Sequence, residues 1–343
     1  MKIVIFEVED WERKAFEQLQ DEHEVQLTSG SLRAENAAEY ADADVISTFI
    51  YSDLETETLQ QFEHLQLIAT RSTGYDHIEL ETCREREIAI CTVPGYGENT
   101  VAEHTFGLLL TISHRLYEAI DRTRKGDFSP RGLQGFDLRG KTMGIVGTGA
   151  IGRCAIRIAN GFGMHVLAYD VQPDQEAASE LGFEYVELDE LLTRSDVVSL
   201  HVPALPQTKH LIGTPQFEQM KQGAVLLNTS RGAVVDEKAL VRALAEGKLA
   251  GAGLDVLPEE PVIREEAELL RRVYEQQHDL QTLLADQVLI RLQNVVVTPH
   301  SAFNTREAVQ RILDTTVENI RAFAAGERQN VVELAAPQQA SRS

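Results

Sequence analysis

The stretch that decides the fold runs from Thr142 to Asp170 and reads TMGIVGTGAIGRCAIRIANGFGMHVLAYD. It opens with a short apolar run that is typical of a buried parallel strand. Three glycines follow in the spacing G-x-G-x-x-G, at Gly147, Gly149 and Gly152. A segment with helical periodicity comes next, and then a second apolar strand that ends at Asp170. The order strand, glycine turn, helix, strand and acid predicts a dinucleotide-binding βαβ unit.

Each glycine of this turn has its own physical reason. Gly147 permits the tight turn out of the strand, Gly149 lets the backbone approach a pyrophosphate, and Gly152 lets the helix pack closely on the strand. The helix N-terminus offers unpaired N–H groups and a positive dipole end to the phosphates. The carboxylate of Asp170 can accept hydrogen bonds from a ribose 2′-OH, and it would repel a 2′-phosphate. The sequence therefore predicts NAD as the cofactor rather than NADP.

Short apolar strands alternate with helical segments on both sides of this unit. Before it, residues 1–99 repeat the strand–helix pattern, which predicts a parallel sheet covered on both faces. A long helix from about Thr100 to Lys125 is expected to open the second domain. The last helix, about Thr305 to Ala325, is expected to return to the first domain.

The predicted fold class is α/β, with two Rossmann-like or flavodoxin-like doubly wound parallel-sheet domains and an interdomain cleft. Residues 1–99 together with 301–343 are expected to form the substrate-binding domain. Residues 100–300 are expected to form the NAD-binding domain.

Composition excludes several classes of protein. The formal net charge is −22, from 32 basic and 54 acidic residues, which argues against binding to nucleic acid or to anionic membranes. The longest strongly apolar stretch, FGLLLTI, is too short to cross a membrane. Cys83, Cys91 and Cys154 lack any C-x-x-C spacing, so we interpret them as buried free thiols in a reducing cytoplasm and expect no metal site.

Chemically useful side chains follow several of the predicted strands. Arg231 lies in the turn LNTSRG, Glu259 and Glu260 follow Asp255 in GLDVLPEEP, and His300 follows a strand in VTPHSAF. Alone, such residues are more commonly surface ion pairs, structural histidines or loop acids. Ligands of open α/β sheets lie at the carboxyl ends of strands. The position of all these residues directly after predicted strands therefore indicates a ligand site. Hydride transfer to or from a 2-hydroxy acid needs a cation, an acid/base that titrates near neutrality, and a carboxylate that orients it.

The chain resembles the NAD-dependent D-2-hydroxyacid dehydrogenases over essentially its whole length. The stretches that carry the resemblance are MKIVIFEVEDWE, TRSTGYDHIEL, VPGYGENTVAEHTFGLLL, GIVGTGAIG with LAYD, HVPALPQTKHLI, LLNTSRGAVVDEKAL, GLDVLPEEP and VTPHSAFNT. The resemblance implies a catalytic trio of Arg231, Glu260 and His300. In it His300 exchanges a proton with the 2-oxo oxygen, Glu260 bonds the other imidazole nitrogen, and Arg231 holds the carbonyl oxygen and the carboxylate. Glu259 is the rival for the glutamate role.

The resemblance also implies a set of cofactor contacts. These cofactor-binding residues are Gly147, Gly149, Ala150, Ile151, Gly152, Asp170, Val202, Pro203, Thr208, Thr229, Ser230, Asp255 and Val101. Among them, Asp255 is expected to bond the nicotinamide carboxamide, and Val101 is expected to pack near the nicotinamide.

The substrate pocket is expected to combine a small-residue turn with aromatic side chains. N–H groups in the turn Ser72-Thr73-Gly74 could hold a carboxylate. The resemblance leans toward the D-lactate dehydrogenase branch, in which Tyr51, Tyr96 and Phe303 surround a small substrate. Core packing is the alternative explanation for these aromatics. A long charged segment, residues 261–292, exceeds the simple family loop.

Several functions remain open at this point. A small 2-oxo acid such as pyruvate, reduced to D-lactate, is the preferred substrate, with a homodimer implied by the resemblance. Alternatives on the same fold are a glyoxylate or hydroxypyruvate reductase, a D-3-phosphoglycerate dehydrogenase, and a phosphonate or formate oxidiser. A non-enzyme alternative is an NAD-sensing, corepressor-like protein. The presence of all three trio residues favours catalysis.

Overall fold

The computed structural model describes residues 1–75, 77–257 and 288–334. The chain divides into two compact units. The first comprises Met1–Tyr96 and the chain from Thr305 onward, and the second comprises Gly97–Asn304. Each unit is built on its own parallel sheet, so the predicted fold class of two parallel-sheet α/β domains is confirmed.

Twelve strands build the two sheets of the described chain. They are β1 (Lys2–Ile5), β2 (Glu24–Leu27), β3 (Val45–Thr48), β4 (Leu67–Thr70), β5 (Ala89–Cys91), β6 (Thr142–Val146), β7 (His165–Tyr169), β8 (Glu184–Tyr185), β9 (Val197–Leu200), β10 (Ala224–Asn228), β11 (Leu249–Leu254) and β12 (Val295–Val297). Every pairing between them is parallel.

Helices separate most of the strands, as a parallel sheet requires. The described α-helices are α1 (Arg13–Glu17), α2 (Thr56–Leu59), α3 (Leu80–Glu85), α4 (Glu98–Ser113), α5 (Leu116–Arg124), α6 (Ala150–Gly161), α7 (Gln175–Leu181), α8 (Leu188–Arg194), α9 (Thr214–Gln219), α10 (Glu237–Ala245) and α11 (Arg306–Ala324). In the part of the chain that the structure describes, no helix is both long enough and apolar enough to cross a bilayer.

The first unit has the strand order β2-β1-β3-β4-β5. The central strands β3 and β4 are buried at every residue, whereas the edge strand β2 alternates between exposed and half-buried residues. The contrast arises because strands in the middle of the sheet are covered by other elements on both faces, whereas a strand at its edge is covered on one face. Helix α11 belongs to this unit, where Asn319 donates to the carbonyl oxygen of Thr92 at 2.9 Å.

The second unit has the strand order β8-β7-β6-β9-β10-β11-β12. From β6 the chain adds strands β7 and β8 on one side, and it then returns to add β9 and the later strands on the other side of β6. Such a reversal of strand order opens a crevice at the carboxyl ends of β6 and β9. Successive residues of β6 face opposite sides of the sheet. Ile145 packs with Leu109 and Ala155 on one side, and Val146 packs with Leu191 and Leu240 on the other.

The prediction of one helix from Thr100 to Lys125 is wrong. Two helices, α4 and α5, cover this range, and Arg115 between them has a left-handed backbone with φ of 51°. The returning chain explains the break, because Phe136 donates its N–H to the carbonyl oxygen of Ser113 at 2.9 Å. A Cβ at Gly135 would lie 1.9 Å from that same oxygen. The end of α4 is therefore capped by distant backbone.

Gly144 on β6 gives a test of how tightly the second sheet is packed. A Cβ there would lie 2.4 Å from both Leu191 Cδ2 and Ser195 Oγ, so Gly144→Ala should lower the free energy of unfolding by about 1–3 kcal/mol. The matched control is Gly161→Ala in α6, where a Cβ has no atom within 4 Å. That change should be neutral or stabilising by up to about 1 kcal/mol. Urea unfolding followed by circular dichroism measures both, and equal midpoints would contradict the packing argument.

Candidate active site

The glycine turn lies at the carboxyl end of β6. Gly147 has φ of 95°, and a Cβ on it would lie 2.6 Å from the carbonyl oxygen of His201. A Cβ on Gly152 would lie 2.1 Å from the carbonyl oxygen of Gly147. These two positions accept only glycine because other backbone occupies the space of a side chain.

Gly149 differs, because a Cβ on it would meet no protein atom within 4 Å. It is the N-cap of the twelve-residue helix α6, whose first residues are Ala150 and Ile151. The first N–H groups of a helix have no partner within the helix. Open space in front of such a helix end fits the pyrophosphate of a dinucleotide.

Asp170, at the end of β7, is held by the same turn. Thr148 donates to its Oδ2 through the backbone N–H at 2.7 Å and through the hydroxyl at 2.9 Å, and the N–H of Gln172 donates to its Oδ1 at 2.9 Å. Partial burial acts to raise the pKa of Asp170, but these hydrogen bonds and the nearby Arg153 hold the pKa below its ordinary value. The carboxylate is thus ionised at neutral pH and retains lone pairs for a ribose hydroxyl.

The end of β9 lies beside the glycine turn. A Cβ on Gly147 would lie 2.9 Å from Val202 Cγ1, so the predicted adenine-side residue borders the turn. The hydroxyl of Thr208 donates to the carbonyl oxygen of Pro203 at 2.6 Å and accepts from the N–H of Leu205 at 2.8 Å. Thr208 therefore closes this loop. Burial lowers the pKa of His201 to about 4, which keeps its ring neutral at pH 7.

The turn after β10 is organised by Asn228, a residue that sequence reasoning did not single out. Its side-chain oxygen accepts from the N–H and the hydroxyl of Ser230 at 3.0 and 2.8 Å, and its amide donates to the carbonyl oxygen of Arg231 at 2.9 Å. The hydroxyl of Thr229 lies 2.9 Å from that of Thr105 on α4. An asparagine directly before a glycine-flanked Thr-Ser-Arg turn is the signal that could have found it.

Asp255 follows β11 and is almost completely buried, with 1% of its surface exposed. Its Oδ1 accepts from the N–H of Ser301 and its Oδ2 accepts from the N–H of Ala302, each at 2.9 Å. The hydroxyl of Thr298 and the ring of His104 also contact the carboxylate. Burial acts to raise the pKa of Asp255, and these four donors outweigh it and hold the pKa below its ordinary value.

His300 follows β12 and is half-buried. Its backbone is left-handed, with φ of 52°, and its N–H donates to the carbonyl oxygen of Asp255 at 2.9 Å. A left-handed backbone is uncommon for a residue other than glycine, and such residues cluster at functional sites. The buried carboxylate of Asp255 is thus the structural partner of the loop that carries the candidate acid/base.

His104 is a second residue that the sequence analysis missed. It lies on α4, with Nε2 at 2.9 Å from Thr298 Oγ1 and at 3.4 Å from Asp255 Oδ1. Val101, in the first turn of the same helix, is half-buried and accepts a hydrogen bond from Thr105 at its carbonyl oxygen. The sequence VAEHTF gave no sign that its histidine would reach a strand end.

The second unit therefore brings many predicted residues to one edge of its sheet. The residues that follow the adjacent strands β6, β9, β10, β11 and β12 at this edge include Gly147, Gly149, Val202, Thr229, Ser230, Arg231, Asp255 and His300. Phe303 is half-buried a few residues further along the chain. Glu260 and its rival Glu259 lie outside the described residues, as does most of the segment 261–292. Within the described ranges, no group of three or more His, Cys, Asp or Glu is placed to hold a metal ion.

The first unit holds the remaining predicted substrate residues. In its small-residue turn, the hydroxyl of Ser72 contacts the carbonyl oxygen of Gly74, and the hydroxyl of Thr73 donates to that of Val93 at 2.8 Å. Tyr51 follows β3 and is 48% exposed. Tyr96 is half-buried.

Tyr51 and Tyr96 are both held through their backbone. The N–H of Tyr51 donates to Glu7 Oε2 at 3.1 Å, and the carbonyl oxygen of Tyr96 accepts from Arg311 at 2.7 Å. Core packing does not account for Tyr51, because half of its surface is exposed.

Known proteins are similar to this chain over nearly all of its length. The sequence model for the NAD-binding domain of D-isomer specific 2-hydroxyacid dehydrogenases matches residues 106–302. D-lactate dehydrogenase of Escherichia coli K12 is 35% identical, over 95% of this chain and 98% of its own. A glyoxylate reductase of Korarchaeum cryptofilum is 38% identical, over 86% of each chain.

A solved structure agrees with these sequence matches. The D-lactate dehydrogenase of Aquifex aeolicus, solved in complex with NAD and lactic acid, superposes with a TM-score of 0.84 at 36% identity, over 95% of this chain and 96% of that one. The resemblance seen in the sequence is therefore confirmed, and so is NAD as the cofactor. The chain belongs to the family of D-isomer specific 2-hydroxyacid dehydrogenases and is an NAD-dependent oxidoreductase.

Proposed function

We propose that this protein interconverts pyruvate and D-lactate by hydride transfer with NAD. The observation that carries the proposal is the edge of the second sheet, where Arg231 follows β10 and His300 follows β12, the parallel strands on either side of β11, in the same unit as the glycine turn. Similarity to D-lactate dehydrogenases over nearly the whole chain supports this substrate. The second unit binds NAD, and the first unit carries several of the proposed substrate residues.

The reaction divides naturally between the side chains of this edge. Bound NADH supplies a hydride to C2 of the 2-oxo acid. His300 donates the proton that the carbonyl oxygen takes up, and it accepts that proton in the reverse direction. Arg231 binds the substrate carboxylate and polarises the carbonyl, a task suited to a planar guanidinium with several fixed donors. The carboxylate that orients His300 is assigned by the resemblance to Glu260, which lies outside the described residues.

The glycine turn and the loops beside it hold the cofactor. The N–H groups of Ala150 and Ile151 bind the pyrophosphate at the start of α6, and Asp170 accepts from the adenosine ribose. Val202, Pro203 and Thr208 form the adenine side. Thr229, Ser230 and Val101 lie near the nicotinamide. Asp255 bonds the carboxamide through the lone pairs that its loop partners leave available.

Recognition of the substrate uses the first unit as well. The proposed substrate-binding residues are Ser72, Thr73 and Gly74 for the carboxylate and Tyr51, Tyr96 and Phe303 for the methyl group. Tyr51 as a whole residue is 48% exposed, which supports a role in contacting ligand rather than in packing the core.

Glyoxylate is the second candidate substrate. It is favoured by the 38% identity to a glyoxylate reductase, which exceeds the identity to the E. coli D-lactate dehydrogenase over a shorter stretch of the chain. The two substrates differ by one methyl group, and a methyl group is worth only about 1–3 kcal/mol in a hydrophobic pocket. A direct comparison of kcat/KM for pyruvate and glyoxylate is therefore needed to decide between the two substrates.

The deciding experiment is a screen of NADH oxidation with pyruvate, longer 2-oxo acids, phenylpyruvate, glyoxylate, hydroxypyruvate and phosphohydroxypyruvate. Pyruvate should have the highest kcat/KM and should give only the D-isomer of lactate. His300→Asn should lower kcat about 10²–10⁴-fold and leave NADH binding intact, because it removes the acid/base and keeps a residue that tolerates positive φ.

The matched control for His300→Asn is His210→Asn. His210 is also a histidine with a left-handed backbone, φ of 51°, but it is exposed. Its substitution should leave kcat unchanged.

In the substrate screen, a higher kcat/KM with glyoxylate than with pyruvate would overturn the pyruvate assignment. NADH binding without turnover of any 2-oxo acid would favour the corepressor-like alternative.

The ionised Asp170 predicts how cofactor choice can be changed. Asp170→Asn removes the negative charge and keeps an acceptor for Thr148, so NADPH should gain in kcat/KM relative to NADH by at least tenfold. Asp189→Asn, which removes an equivalent charge from an exposed position at the start of α8, serves as control. An unchanged NADH/NADPH ratio in Asp170→Asn would show that another group sets the preference.

The protein works as a homodimer that is joined through the second unit. Four large apolar side chains in and after α5 support this: Leu116, Tyr117, Ile120 and Phe128 are 42%, 70%, 51% and 81% exposed. Exposed apolar groups of this size are typical of an interaction surface.

Charged substitutions test the dimer. Tyr117→Asp combined with Phe128→Asp should convert the dimer to monomer in light-scattering measurements, because two unpaired charges would be buried on association. Leu80→Asp, in an exposed apolar position at the start of α3, is the control and should remain dimeric. A wild-type protein that is itself monomeric would contradict the proposal.

The cytoplasm is the proposed location. Cys83, Cys91 and Cys154 are all free thiols, and burial raises the pKa of Cys83 and Cys91 to about 11, so both remain protonated and unreactive at neutral pH. Unpaired cysteines of this kind are typical of proteins in a reducing compartment.

A further inference from the structure

The loop that carries His300 needs support from outside itself. Its backbone is left-handed at His300, a conformation that costs a histidine free energy and persists only when surrounding contacts enforce it. Asp255 supplies three of those contacts. Its carbonyl oxygen accepts from the N–H of His300, and its two carboxylate oxygens accept from the N–H groups of Ser301 and Ala302, all at 2.9 Å.

His104 extends this set of contacts to helix α4. A carboxylate only accepts hydrogen bonds, so the hydroxyl of Thr298 must donate its proton to Asp255. The Thr298 oxygen is then an acceptor, and His104 Nε2, 2.9 Å away, carries the proton that it receives. Donation therefore runs from His104 through Thr298 to the Asp255 carboxylate, which also accepts from the amides of Ser301 and Ala302 next to His300.

Helix α4 is a rigid platform for this chain. A Cβ on Gly253 would lie 2.9 Å from Leu108 Cβ, and one on Gly251 would lie 3.1 Å from Ile112 Cγ2, so the helix lies directly on β11. The hydrogen bond between Thr105 and Thr229 holds the helix to the next strand end as well. A donor on such a helix has little freedom to move.

We propose that His104 is a positioning residue, which acts through Thr298 and Asp255 to hold the His300 loop in the geometry that proton transfer requires. This inference rests on the proposed function of His300. A small displacement of an acid/base lowers the rate steeply, because the reacting atoms must approach within about 3–3.5 Å. Removal of the donor should therefore lower kcat more than it raises KM.

Three substitutions test the proposal. His104→Phe keeps a ring and removes the donor, whereas His104→Gln keeps an N–H donor at a similar reach. His114→Phe is the matched control, since it makes the same change at an exposed histidine at the end of the same helix. Each variant is compared with the wild type in kcat, KM, NADH affinity and the primary isotope effect with deuterated NADH.

His104→Phe should lower kcat about 10- to 100-fold, with NADH affinity within about twofold of wild type and a larger isotope effect on kcat. His104→Gln should recover most of the lost rate, and His114→Phe should match the wild type. A merely structural role would reduce the number of active sites without changing kcat per site or its isotope effect. Wild-type kinetics in His104→Phe, or no recovery in His104→Gln, would overturn the proposal.

Hydrogen exchange gives a readout that does not depend on turnover. The amides of Ser301 and Ala302 should exchange at least tenfold faster in His104→Phe than in wild type, and they should be unchanged in His114→Phe. If the wild type reduces no 2-oxo acid, the proposed function fails, and the exchange rates still decide whether His104 holds this loop. Unchanged exchange in His104→Phe refutes the positioning role whatever the activity.

Discussion

The backbone contact between Gly147 and Gly152 is the constraint on which the second unit depends. A Cβ on Gly152 would lie 2.1 Å from the carbonyl oxygen of Gly147, so α6 can lie on the end of β6 only when residue 152 has no side chain. Gly147 is also held against the backbone of His201, just after β9, where a Cβ would lie 2.6 Å from the carbonyl oxygen. These contacts fix two neighbouring strands and one helix in a single arrangement. In that arrangement the N–H groups of the first turn of α6 face the open space beside Gly149.

Much of the fold was predictable because it is encoded locally. The glycine spacing and the two flanking apolar runs predicted β6, α6 and β7 without reference to the rest of the chain. The three strand-end motifs were predictable for a different reason. Consecutive strands of a parallel sheet end at one edge, so Arg231, Asp255 and His300 could be placed together from chain order alone. Thr305, a good N-cap, similarly marked the start of α11.

The rest depends on contacts between distant parts of the chain. Helix α4 ends because the N–H of Phe136, more than twenty residues further along the chain, donates to the carbonyl oxygen of Ser113. No glycine or proline near Arg115 indicates this helix end in the sequence. The hydrogen bond from His104 to Thr298 joins residues 194 positions apart. Asp255 was expected to bond the nicotinamide, and nothing local indicated that its oxygens would also hold Ser301 and Ala302. Spacing rules describe neighbours in sequence and give no information on such pairs.

Electrostatics at the sheet edge also follows from these long-range contacts. The chain has a net charge of −22, yet its cofactor and substrate are anions. The structure stabilises the charged acids of this edge with hydrogen-bond donors from the protein: Asp255 accepts from the His300 loop and from Thr298, and Asp170 accepts from Thr148 and Gln172. Arg153 is paired with Asp174 at 2.9 Å, which leaves it engaged rather than available for a 2′-phosphate.

The same hydrogen bonds set the pH range in which the edge keeps its shape. The pKa values of Asp255 and Asp170 are lower in the folded chain than their ordinary values, so the folded state favours their ionised forms. Their contribution to stability is complete above the ordinary pKa of an aspartate and is lost as the pH falls through the lowered values. Between pH 5 and 8 both stay charged, and the loop that Asp255 holds does not change. The Asp255 carboxylate therefore keeps holding the His300 loop across the pH range in which histidine side chains ordinarily exchange protons.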